Sequence, residues 1–171
     1  MSAYQTNNNS DGTFNKHDDY MTPKSAWENI LQYIPKDKVI WECFYGDGQS
    51  GKDLTDLGLN VIHEDIDFFE NNKGDIIISN PPFTQKKEVF TRLIELDKPF
   101  IMISSQQVLF TQYFRNIMKD IKLQIIIPRR RINFKKLVNG VVPENWGNRC
   151  NFDCLYFCYK MDLPKDILFL S

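Results

Sequence analysis

The sequence holds no apolar run approaching the roughly 18 residues that a membrane-spanning helix needs, and its N-terminus lacks a basic segment followed by an apolar one. Neither a membrane span nor a secretory leader is expected, so the protein should be soluble and intracellular. Metal-ligating side chains are also scarce. The four cysteines form no CxxC pair, and His17 and His63 are the only imidazoles, which argues against a zinc site. Excess positive charge is missing too: 21 Lys and Arg stand against 22 Asp and Glu, a net charge of −1. Any polyanion would have to be met by local clustering instead of a basic surface. There is no internal repeat and no linker, and 171 residues with 42% hydrophobic side chains suffice for one sizeable core but not for two.

What is present changes character along the chain. Residues 1–17 are polar, rich in Asn and without periodicity, and read as a disordered arm ahead of a single domain over 18–171. Thr22 is placed to cap a first helix, with Pro23 in its opening turn, apolar Trp27, Ile30, Leu31 and Ile34 at helical spacing, and a stop at Pro35. Short apolar runs then alternate with helical ones, the pattern of an α/β fold with a mostly parallel sheet. Strands are expected at Val39–Cys43, Asn60–Glu64, Asp75–Ser79, Phe100–Ser104, Leu123–Ile127 and Phe152–Tyr159, about six in all, with helices near 50–58, 85–97 and 107–120. Between Asp67 and Lys73 there is too little chain for a further strand and helix, so one such unit of a doubly wound fold is expected to be absent. Cys150, Cys154 and Cys158 fall on one face of the last strand, where reduced cysteine packs as a small hydrophobe.

Two stretches carry the candidate chemistry. The first, GDGQSG, follows an apolar strand and opens a helix, where glycines let backbone approach a ligand closely. Gly46, Gly51 and Lys52 also spell a phosphate-binding P-loop up to its last position. That position is Asp53, and a carboxylate there would repel a triphosphate where a hydroxyl should hold magnesium. Taken instead as Glu42 followed by Gly46 and Gly48, the stretch suits a ligand with an amino-acid moiety. Asp65, with Glu64 beside it, could accept hydrogen bonds from ribose hydroxyls.

The second stretch, DIIISNPPF, puts Asn80, Pro81, Pro82 and Phe83 at the C-terminal end of a buried strand, the edge where α/β folds place their chemistry. Two prolines remove backbone donors and leave carbonyls. The Asn80 side-chain oxygen and the Pro81 carbonyl could hold both hydrogens of an aromatic amino group such as adenine's and turn its nitrogen lone pair outward. Phe83 offers a face on which an extruded base can stack. A third cluster, Arg129, Arg130, Arg131, Lys135 and Lys136, lies in the long connection Pro128–Asn151 and is the candidate phosphate contact.

At SNPPF the chain resembles the adenine-specific amino-methyltransferase family, whose fourth motif is Asp/Asn/Ser-Pro-Pro-Tyr/Phe/Trp, matched here by Asn80, Pro81, Pro82 and Phe83. Beside that family, DYMTP resembles the N-terminal cofactor motif, with Tyr20 and Thr22. Glu42, Phe44, Gly46 and Gly48 resemble its glycine motif, Asp65 its ribose-binding acid, and Asp67 with Phe68 the pair flanking the cofactor adenine. The resemblance covers residues 14–160 and implies a Rossmann-like fold that binds S-adenosyl-L-methionine and methylates adenine in nucleic acid, DNA ahead of RNA. Motif order is that of the γ group, whose members carry a separate target-recognition domain for which this chain has no room. Specificity is then expected from Pro128–Asn151, a homodimer or a partner. The short form resembles phage and large-virus enzymes, with a cytoplasmic or host-intracellular location. Glutamine methyltransferases share Asn-Pro-Pro-Tyr, and a catalytically silent nucleic-acid-binding subunit would keep the same fold.

Overall fold

A computed structural model describes residues 20–136 and 153–171. The arm expected over 1–17, most of the long connection after Pro128, and Cys150 lie outside the described residues. The elements in chain order are β1 (Tyr20–Met21), α1 (Lys24–Glu28), β2 (Val39–Trp41), α2 (Gln49–Asp56), β3 (Asn60–Ile62), β4 (Ile76–Ser79), α3 (Lys86–Leu96), β5 (Phe100–Ser105), α4 (Gln112–Met118), β6 (Leu123–Ile127), β7 (Lys135–Lys136), β8 (Cys154–Tyr159) and β9 (Ile167–Phe169). Short 3-10 turns at Leu31–Tyr33, Phe83–Gln85 and Gln106–Phe110 complete the set.

Seven strands form one sheet in the order β3-β2-β4-β5-β8-β6-β9. β2 is parallel to both β3 and β4, β4 to β5, and β6 to β9, while β8 runs antiparallel to β5 and β6. Parallel strands covered on both faces must be apolar throughout. β4 (IIIS) and β5 (FIMISS) accordingly have no exposed residue. Alternate residues feed two cores: Ile101 and Ile103 meet Trp27, Ile30 and Leu54 on one face, whereas Phe100 and Met102 meet Val89, Phe90, Leu93 and Phe114 on the other. The result is a helix–sheet–helix sandwich. Cys154 and Cys158 pack with Tyr156 in the first core, as their spacing predicted.

All six expected strands form, and β9 is a seventh. It was not foreseen because its apolar Ile167 and Phe169 point outward and only Leu168 is buried, the reverse of the usual pattern. The first helix is also shorter than its periodicity implied. Pro23 occupies the cap position with no side-chain cap, five helical residues follow, and the chain tightens into a 3-10 turn before Ile34. The helix expected at 107–120 is broken at Thr111, whose hydroxyl caps α4 through the Phe114 amide at 3.4 Å. Residues 63–75 hold only a turn at Phe68–Glu70, leaving β3 as the sheet edge. Among the described residues no helix is long and apolar enough to cross a membrane.

Candidate functional site

Strand order fixes where a site can form. From β2 the chain goes outward to β3 and then returns past β2 to β4, so connections leave the C-terminal ends of β2 and β4 in opposite directions. That switch point opens a crevice. The loop after β2 (Glu42–Gly48) lines one wall and the turn after β4 (Asn80–Phe83) the other. The two stretches singled out in the sequence are thus brought together.

Glu42 is 1% exposed. It accepts hydrogen bonds from the Ser79 hydroxyl and, at 3.0 Å, from the Phe44 amide, and among the described residues it meets no cation. Burial pushes its carboxyl from 4.5 up to about 8, although both hydrogen bonds favour the charged form. Burial, with Glu42 beside it, also drives the Cys43 thiol well above its usual range, so that side chain is core filling and not a nucleophile. A buried carboxyl without a counter-charge is costly unless a ligand supplies one.

The glycine turn beyond Glu42 is tightly constrained. Gly48 has φ +85°, and a side chain there would strike the Tyr45 hydroxyl at 2.8 Å. Gly51 has ordinary helical geometry, yet an added Cβ would lie 2.3 Å from the His63 ring, so α2 packs directly on the end of β3. Tyr45 stacks on the same imidazole at 6.3 Å. Neither Tyr45 nor His63 carried a sequence signal. Asp53, the misfit of the P-loop pattern, is buried and accepts from Gln49 at 2.9 Å, while Lys52 is exposed.

On the opposite wall Pro81 and Pro82 are buried, and Asn80 and Phe83 half-buried. The Asn80 amide nitrogen donates to the Thr22 hydroxyl at 3.0 Å across 58 positions of sequence. Donation through nitrogen turns the Asn80 carbonyl oxygen away from Thr22, leaving an oriented acceptor. Thr22 therefore does not cap a helix as expected; its hydroxyl is spent on Asn80. Lys86 sits over the Phe83 ring at 5.0 Å.

The remaining candidates divide. Asp65 and Glu64 are exposed on the loop after β3, and Asp67 caps its own turn by accepting from the Phe69 amide at 2.8 Å. Phe68 corrects an expectation: it has no exposed surface, its ring packing on Phe44 at 5.0 Å and Trp41 at 5.7 Å, and half-buried Ile66 and Phe69 are the apolar side chains of that loop nearer solvent. Phe44 is likewise core, 8% exposed, and takes part through its backbone amide. β1 pairs antiparallel with β7, Tyr20 opposite Lys136 and Met21 opposite Lys135, which ties the basic connection to the segment holding Asn80. Arg129 and Arg130 are exposed along a groove of about 630 Å³ that also contains Asn29, Gln32 and Asn133. Arg131 differs from them: its charge is matched by Asp153 at 2.6 Å.

No family model matches the chain. It is similar to the type II methyltransferase M.EcoRI of Escherichia coli, with 30% identity over 107 residues that take in 57% of this chain and 31% of that protein. The chain thus spans about a third of the length of that relative.

Proposed function

We propose that the protein transfers a methyl group from S-adenosyl-L-methionine to the exocyclic amino group of adenine in DNA, on a Rossmann-like methyltransferase sheet. The observation that carries this reading is the pairing, across one switch-point crevice, of an uncompensated buried Glu42 with an Asn80 acceptor oriented by Thr22. Similarity to a type II methyltransferase supports the same reaction class.

The residues present fit the cofactor. Glu42 lacks a cation among the described residues and can pair with an α-ammonium group, Gly46 is half-buried with open space beside its Cα for a close ligand while Gly48 makes the turn beneath Tyr45, and Asp65 is exposed to accept from ribose hydroxyls. When bound, S-adenosyl-L-methionine supplies an electrophilic methyl group on a sulfonium sulfur. Asn80 Oδ1 and the Pro81 carbonyl accept the two amino hydrogens of the target, which localises the nitrogen lone pair toward the methyl group. Phe83 stacks on the extruded base. The nitrogen sheds one proton to solvent after forming its new bond, so no general base is required. Positioning of this kind can supply roughly 7–11 kcal/mol of a barrier. Arg129, Arg130, Lys135 and Lys136 hold the phosphates, with Arg131 secondary because Asp153 already neutralises it.

Labelled S-adenosyl-L-methionine offered with duplex DNA, single-stranded DNA, RNA and protein, followed by digestion, tests the reading. Label in N6-methyladenine from DNA is the expected product. Label in RNA alone, or in protein glutamine, overturns the choice of substrate, and no label anywhere overturns the activity.

A further inference from the structure

Phe110 is 86% exposed, the most exposed large hydrophobic side chain among the described residues, and Leu109 beside it is 38% exposed. Burying a phenylalanine stabilises a fold by about 1.5–3 kcal/mol, and this one contributes none of it. The turn that carries it is nevertheless held rigidly. Val108, 2% exposed, anchors it in the second core. Ser105 caps one end by accepting from the Gln107 amide at 3.3 Å, the Gln106 amide donates to Asp153 at 2.8 Å, and Thr111 closes the other end on the Val108 carbonyl at 2.7 Å. A rigid turn holding an aromatic ring in water has no folding purpose.

Its position supplies one. β5 adjoins β4 in the sheet, and Ser79 lies opposite Met102, three residues before β5 ends at Ser105. The turn therefore leaves the sheet about 10 Å beyond Ser79 on the same C-terminal edge. α3 begins after Phe83 and α4 after Phe110, and the two helices pack side by side, the Phe90 and Phe114 rings 5.2 Å apart. Phe110 thus stands on the turn that leaves the neighbouring strand at the same sheet edge as the turn of Phe83. The hollow of about 620 Å³ beside it is lined by Gln112, Arg115 and Lys119 and, among the described residues, by no acid. Arg115 and Lys119 lie four residues apart on one helical face, and long side chains there lean toward the helix N-terminus, the crevice edge. An apolar tip above a cationic hollow is complementary to a base stack flanked by phosphates.

Resting on the proposed reaction at Asn80, we infer that Phe110 is a wedge that enters the base stack of duplex DNA and holds open the space left by the extruded adenine, with Arg115 and Lys119 on the adjoining phosphates. Apolar side chains inserted between base steps unstack them, and the gain is greatest where a base pair has to be opened. A single strand has no pair to open, so Phe110 matters for duplex and not for single-stranded DNA.

The test compares wild type, Phe110→Ala and Phe110→Trp in initial rates of methylation of an unmethylated amplified duplex and of the same DNA as a single strand. Phe110→Ala should lose about 5-fold to 150-fold on the duplex, as for one lost stacking contact, and stay within about twofold on the single strand. Phe110→Trp should recover the duplex rate. Melting temperature and cofactor affinity should match wild type in both variants, since the side chain lies outside both cores. An unchanged duplex rate, or equal losses on both substrates, overturns the wedge. So does a change in sedimentation mass in Phe110→Ala, which would mark the patch as a self-association surface, and so does wild-type activity confined to single strands. If wild type methylates adenine in neither DNA, the reaction reading itself has failed, and the wedge with it.

Discussion

Replacing Glu42 with Gln retains an acceptor for the Ser79 hydroxyl and the Phe44 amide and removes only the capacity to ionise. In the unfolded chain the carboxyl loses its proton near 4.5, whereas burial in the folded protein delays that loss to about 8. Between those values the folded state binds more protons than the unfolded state, so stability is fully present below 4.5, falls as pH rises through the window, and levels off above about 8. The slope is about 1.4 kcal/mol per pH unit, which accumulates to about 3 kcal/mol at pH 7. Gln carries no such pH-dependent cost. The melting temperature of Glu42→Gln minus that of wild type, both free of ligand, should be close to zero near pH 5 and reach roughly 6–12 °C by about pH 7 for a chain of this size. Taking the difference between variants cancels every other group that titrates. Binding of S-adenosyl-L-methionine, followed by calorimetry, should move the opposite way. Wild-type affinity rises with pH up to about 8, by as much as about tenfold per unit, because the carboxyl must release its proton to pair with an ammonium group. The variant binds about tenfold or more weakly, without that dependence. A melting-temperature difference that stays flat from about pH 5 to about pH 8 would refute the reasoning, because Glu42 would then not be held protonated in the folded protein.

Asn80→Ala should lower turnover about 100-fold to 1,000-fold with cofactor affinity little changed, by analogy with lost oxyanion-hole donors, as single-turnover kinetics beside calorimetry will show. Replacing both Arg129 and Arg130 by Ala should weaken DNA binding and make the slope of log affinity against log salt shallower by up to about 2, while Arg131→Ala changes it less; equal slopes for all three proteins would reduce the cluster to solvated surface. Gly51→Ala forces a Cβ into the His63 ring and should cost about 1–3 kcal/mol in chemical denaturation, with cofactor affinity falling as the helix shifts from its loop.

The strands were legible because β4 and β5 are apolar on both faces and bounded by turn residues, and the two walls of the crevice because Asn-Pro-Pro-Phe and the glycine turn are each contiguous in sequence. What escaped depends on contacts far apart in the chain. Thr22 reads as a helix cap by every local criterion, and only the arrival of Asn80 gives its hydroxyl another partner. Phe68 resembles one of the pair flanking the cofactor adenine, but Trp41 and Phe44 pack on its ring and leave it no exposed surface. The pairing of Arg131 with Asp153 bridges a connection whose two ends no periodicity relates. Phe110 shows the converse: it falls within the helix expected at 107–120, and the 3-10 turn that ends at Thr111 leaves it in solvent.

β8 has a consequence for synthesis on the ribosome. It lies between β5 and β6 and pairs with both, yet it is translated after both. At roughly 5–20 residues per second, the nascent chain spends seconds with β5 and β6 exposing unpaired edges toward an empty slot. Those edges can zip directly onto each other or accept a strand from a neighbouring chain, so the slot is where misassembly begins. A chain arrested before Cys154 has made its Glu42, Asn80 and Thr22 but cannot close the sheet on which they stand, so the crevice between β2 and β4 matures only after the last central strand slides into the middle.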